Sequence, residues 1–127
     1  MSKILLVGIG GFIGSILRYV LSGLVHEWTR RDDFPVGTLA VNVLGCFVIG
    51  LLSQLAEARG AFTPETRAFV IIGILGGFTT FSSFGNETMN LWRDAENGLA
   101  LLNIGAQLVL GLGAVWLGRV LGHEIWG

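Results

Sequence analysis

Charge, cysteine and clustered catalytic side chains are what this sequence has least of. Only 13% of its 127 residues are Asp, Glu, Lys or Arg, there is one cysteine, and the two histidines, His26 and His123, stand far apart. No carboxylates pair as a general acid and base, no Cys and His recur at metal-ligand spacing, and no phosphate-binding loop occurs. Catalysis has no support in these residues, so the chain is not read as an enzyme, and nucleic acid is not expected as a partner. Cys46 has no internal disulfide partner and, lying in an apolar segment, reads as a small packing residue. Asn86-Glu87-Thr88 has the form of a glycosylation acceptor, but at membrane depth it is inaccessible.

What replaces charge is apolar length. With 52% hydrophobic residues, 20 glycines and a mean hydropathy of +0.70, the chain reads as an integral membrane protein. Residues 4–25, 37–56, 68–91 and 99–121 are each long enough to span a bilayer, which takes roughly 20 residues at helical rise. They form a single four-helix transmembrane domain over residues 1–127, with no extramembrane domain left over. The run after Lys3 is taken as the first span rather than a signal peptide, because no convincing small-residue cleavage site precedes Arg18. Thr63-Pro64-Glu65 reads as a helix start: a threonine cap, proline at the first helical position and an acid in the first turn. A bundle this small has little interior of its own, which favours oligomerisation.

The basic residues divide evenly. With four spans, Lys3, Arg59, Arg67 and Arg119 fall on one side and Arg18, Arg30, Arg31 and Arg93 on the other. The positive-inside rule then gives no preferred orientation, which allows insertion both ways and an antiparallel homodimer. A single orientation set by other features is the alternative.

One stretch stands out in the third span: Gly76-Gly77-Phe78-Thr79-Thr80-Phe81-Ser82-Ser83-Phe84. Paired glycines followed by threonines and serines are poor helix formers, and a helix broken in hydrocarbon persists only where protein or a cavity covers it. Such a break marks a binding or conduction site; the competing reading is a Gly-rich packing seam. In the first span, Gly10 and Gly14 suit close helix packing, and Arg18 either snorkels or faces a polar vestibule. In the second, Asn42 is the one strongly polar interior residue, either a donor to an anion or an interhelical clamp.

In order, Gly-Gly-x-x-Gly-x-x-x-Arg-Tyr at 10–19, Gly-Thr-Leu-x-Val-Asn-x-x-Gly at 37–45 and Gly-Gly-Phe-Thr-Thr-Phe-Ser-Ser-Phe at 76–84 closely resemble the Fluc family of fluoride channels, the CrcB-type proteins. The resemblance covers essentially the whole chain. It implies an all-α membrane protein, the third helix broken mid-membrane, that works as a dual-topology antiparallel homodimer with two pores. It implies passive export of fluoride across a bacterial or archaeal cytoplasmic membrane, relieving fluoride toxicity. The backbone carbonyls of Gly76 and Thr79 match those that hold a structural sodium ion at the dimer centre. Phe81 and Phe84 match the pore phenylalanines, and Asn42 the pore asparagine.

The chemistry suits those roles. An aromatic ring has a positive edge, so it contacts an anion without a fixed charge that would hold the ion too tightly. Fluoride is strongly hydrated, so donors must replace its water; Asn42 and Ser83 are the first candidates, then Thr80 and Ser82. Glu87, the only carboxylate well inside a span, is either protonated and a donor to fluoride or ionised and paired with an arginine such as Arg18. In the fourth span the polar line runs Asn103, Gln107, Gly111 and Val115, shorter than the hydroxyl track of some family members. Gly105, Gly111, Gly113, Gly118 and Gly122 are expected to be packing contacts. Two other readings remain. A small dual-topology multidrug exporter would want its acid in the first span, where this chain has Arg18; a non-transporting assembly subunit would pass no ion.

Overall fold

The computed structural model describes residues 2–127, and its regular structure is helical throughout. Helix α1 runs Lys3–Thr29 and α2 Val36–Arg59. The third apolar segment is composite: α3 (Pro64–Thr66), a π-helix (Arg67–Leu75), α4 (Gly76–Phe78), two extended residues, then α5 (Phe81–Arg93). Helix α6 spans Asn97–Trp126. Four of these segments, the third taken as Pro64–Arg93, are long and apolar enough to cross a membrane.

The helix ends follow local chemistry. Ser2 caps α1 by accepting from the Ile4 amide at 3.2 Å. Thr63 accepts from the Thr66 amide at 3.1 Å, with Pro64 and Glu65 in the first turn. Gly60, in the left-handed region at φ 57°, ends α2 and donates to Ala56 O at 2.9 Å.

Helix α2 packs along α6, and α1 crosses the π-helix and α4. The second crossing is backbone on backbone. A Cβ added to Gly77 would lie 2.7 Å from Gly11 O, and one on Gly73 would lie 2.9 Å from Gly10 Cα. Gly14 sits against the Ile74 carbonyl. Only glycine allows this approach, the device by which membrane helices gain packing without a hydrophobic drive. The π-helix coincides with this crossing, and no residue pattern announced it.

Gly118 and Gly122 pack against α2 as expected, the latter with a would-be Cβ 2.8 Å from Gln54 Cβ. Gly111 is in ordinary range of Cys46 Sγ at 3.6 Å, but Gly105 and Gly113 have nothing within 4 Å. Within this chain those two therefore make no packing contact of their own, unlike Gly118 and Gly122 on the same helix. Polarity is inverted relative to a soluble domain. The buried apolar set is mostly small, with Ala68, Ala100 and Ala114, while Phe12, Phe81, Val109 and Trp116 stand out from the surface.

Gly14→Val forces a branched side chain into the Ile74 carbonyl, so thermal unfolding in detergent should register a loss of about 1–3 kcal/mol or more. Gly113→Ala, with open space around it, should stay within about 0.5 kcal/mol of the parent.

Candidate ion pathway at the interrupted helix

Thr79 and Thr80 are extended, at φ −87°, ψ 158° and φ −149°, ψ 116°. The helix stops there because its donors are claimed elsewhere. The Thr80 amide donates to Asn42 Oδ1 at 2.8 Å instead of to the carbonyl four residues back. Asn42 Nδ2 returns a bond to Thr80 O at 3.1 Å, so the carboxamide pairs with Thr80 as a neighbouring strand would. The same nitrogen donates to Gln107 Oε1 at 3.1 Å. One turn on, the Ser83 amide donates to Thr80 Oγ1 at 3.2 Å, which starts α5 with a threonine cap. Thr80 Oγ1 also donates to Ser83 Oγ at 3.2 Å and lies 3.3 Å from Ser82 Oγ.

These diversions free two carbonyls. In a continuous helix Gly76 O would accept from the Thr80 amide and Thr79 O from the Ser83 amide, and here both amides are bonded to side chains. Neutral carbonyl oxygens released from a helix ladder are the ligand type that hard cations take. Gly76 is exposed, beside exposed Ile72 and Phe81. The oxygens thus are of the kind a hard cation takes, and they lie at the surface of the chain.

Thr80 divides two recesses. On one side is a groove of about 380 Å³ whose lining includes Asn42, Thr79, Phe81, Phe84 and Gln107. On the other is a cleft of about 680 Å³ whose lining includes Arg18, Thr38, Ser83 and Glu87; Thr80 lines both. Phe81 is 81% exposed, and its ring meets that of Phe84 edge to face, with centroids 5.5 Å apart and planes at 61°. Ser82 is exposed and belongs to the lining of neither recess.

Glu87 makes no ion pair, with Arg18 or any other cation, among the described residues. Its carboxyl is instead held by the Thr38 hydroxyl, at 2.6 Å to Oε1 and 3.1 Å to Oε2. Thr38 had not been singled out as a functional residue. The signal was present, because Thr38 and Asn42 are four apart on α2 and therefore share a face.

The polar line of α6 divides. Gln107 and Gly111 line the groove; Asn103 and Val115 do not. Val115 packs its backbone on Gly50. Asn103 is fully buried at 0% exposure and donates from Nδ2 to Thr88 Oγ1 at 2.9 Å, while Thr88 Oγ1 donates to Phe84 O at 2.7 Å. It braces α5 from the side away from the groove.

Four apolar spans, an interrupted third segment and two recesses meeting at its break define a small multi-pass helical membrane protein. A family model described as CrcB-like protein, Camphor Resistance (CrcB), matches residues 5–119, and the chain belongs to that family. It is 49% identical to the Fluoride-specific ion channel FluC of Parabacteroides distasonis, over 98% of this chain and 96% of that protein. It is 45% identical to the Fluoride-specific ion channel FluC of Methylobacillus flagellatus, over 93% and 92%. Identity is also 45% to Fluoride-specific ion channel FluC 3 of Methanosarcina barkeri, over 95% and 90%. The family read from the three motifs is the family found.

Asn42→Leu keeps the side chain's approximate size but strands the Thr80 amide, and an unmade bond of that kind costs roughly 1–3 kcal/mol. Thermal unfolding of the purified variant should register that loss, whereas an asparagine that only faced a pore would leave stability near the parent value.

Proposed function

We propose that this protein is a fluoride-selective channel that lets fluoride leave the cell passively across the cytoplasmic membrane of a bacterium or archaeon, relieving fluoride toxicity. The observation that carries the reading is the extended Thr79–Thr80 junction, with Phe81 and Phe84 on the groove side and Arg18 on the cleft side. Family membership and relatives named for fluoride-specific conduction support it. Arg18, in the wider cleft, attracts anions from solution without holding them in the narrow part. Beyond it the ion meets ring edges and neutral donors, with the Ser83 hydroxyl, which accepts the hydrogen of the Thr80 hydroxyl and keeps its own to give, nearest the junction. Weak, distributed contacts of this sort let an ion enter and leave.

In this reading the working unit is an antiparallel homodimer with two pores, supported by the four-against-four division of basic residues. The break lies at membrane depth, where a second copy covers Ile72, Gly76 and Phe81. Gly76 and Thr79 carbonyls from both copies would hold sodium, which supplies a fixed positive charge at the dimer centre when bound. The protein's own contribution is to hold those oxygens free, through Asn42 and the Thr80 cap.

Purified protein in liposomes, followed with a fluoride electrode, tests the reading. Wild type should release fluoride and retain chloride. Phe81→Ile and Phe84→Ile, which roughly keep apolar volume but remove the ring quadrupole, should slow release about tenfold or more while the assembly stays intact. Wild-type rates from both intact variants would sink the aromatic path.

A further inference from the structure

Among the described residues, two buried side-chain atoms have no hydrogen-bond partner, Asn103 Oδ1 and Gln107 Nε2. Which is oxygen and which nitrogen follows from covalent chemistry. The Thr80 backbone N–H can only donate, so the Asn42 atom 2.8 Å away is the carbonyl oxygen. The other terminal atom of Asn42 is therefore the amide nitrogen, and it meets Gln107 at 3.1 Å. Gln107 must answer with its oxygen, which leaves its NH2 group turned away from Asn42 and without an acceptor. The same logic holds for Asn103. The single hydroxyl hydrogen of Thr88 goes to Phe84 O, so Thr88 accepts from Asn103 Nδ2, and the oxygen is left over.

The two orphans have opposite character. Fluoride accepts hydrogen bonds and cannot donate one, so it suits the Gln107 nitrogen and is unsuited to the Asn103 oxygen. Gln107 also belongs to the groove lining, with Asn42, Thr80, Phe81 and Phe84, and Asn103 does not. Asn42 has no N–H to spare, because its nitrogen already serves Thr80 O and Gln107 Oε1.

We propose that the Gln107 amide is the donor that meets the anion in the groove, and that Asn42 is a positioning residue that orients it. This rests on the channel reading above. The backbone amide of Thr80, Asn42 and Gln107 form one directed chain whose bonds polarise each other, so the break that interrupts the helix also fixes which end of the Gln107 carboxamide is left with hydrogens to give. A neutral carboxamide holds an anion less firmly than a lysine would, as conduction requires.

The test compares Gln107→Glu, which keeps an oxygen for Asn42 but loses the NH2, with Gln107→Met, which loses both. Each variant is measured in liposomes by fluoride electrode, with assembly size checked by chromatography and wild type run at every pH. Both should lower fluoride efflux roughly tenfold or more at wild-type assembly size. As pH falls from about 8 toward about 5.5, Gln107→Glu should regain efflux relative to wild type, because its protonated carboxyl offers an O–H donor, and Gln107→Met should not. Wild-type efflux from Gln107→Met, or a Gln107→Glu loss unchanged by pH, overturns the proposal; the second arm decides alone should the Met variant fail to assemble. Wild-type liposomes that release no fluoride would instead overturn the channel reading itself.

Discussion

A single backbone amide, that of Thr80, governs the arrangement of the third segment. In a bilayer no water stands ready to satisfy a displaced N–H, so a helix is interrupted only where protein supplies the missing partner. Asn42 supplies it from α2, pairing with both the amide and the carbonyl of Thr80. The threonine side chain then takes the Ser83 amide and restarts the helix. Two extended residues are thus held without an unmet donor at either position, and the carbonyls of Gly76 and Thr79 are released together. The break is a satisfied structure rather than a flaw in helix propensity.

The rest of the bundle serves that junction. The glycines of α1 bring its backbone onto Gly73 and Gly77, which fixes the approach to the break, while the α2–α6 seam at Gly50 and Gly118 holds Asn42 and Gln107 within reach of each other. Thr38 holds Glu87 in the cleft, and Asn103 ties α6 through Thr88 to the carbonyl of Phe84. Polar contacts are few in this interior, and most of them converge within a turn or two of Thr80. In the path proposed above the side chains offered to an anion are amides, hydroxyls and ring edges, none of which would hold it as firmly as a lysine or arginine.

Much of this is legible in the residues, for reasons that differ by element. Apolar length reveals the spans, and Thr63-Pro64-Glu65 a helix start, because membranes and caps act on local sequence. The run from Gly76 to Phe84 announces a poor helix, and Asn42 is conspicuous as a lone carboxamide. What Asn42 bonds is not legible, since Thr80 and Gln107 lie 38 and 65 positions away. The Thr38–Glu87 contact is hidden likewise, 49 residues apart. Gly105 and Gly113 resemble seam glycines in spacing, yet no other part of this chain reaches them, and which glycines meet a neighbouring helix is set by helix rotation, which composition does not record. The π-helix lies where α1 crosses, and no local pattern records it.

The central claim is that Asn42, and not a continuous helix ladder, holds the Thr80 amide. Hydrogen–deuterium exchange resolved at that amide tests it most directly, comparing the wild-type protein with Asn42→Ala in the same detergent. The account predicts slow exchange in the wild type and exchange faster by roughly tenfold or more in the variant, as expected when one buried hydrogen bond is lost. Unchanged protection of Thr80 in Asn42→Ala would mean that the amide bonds within its own helix, and would contradict the account.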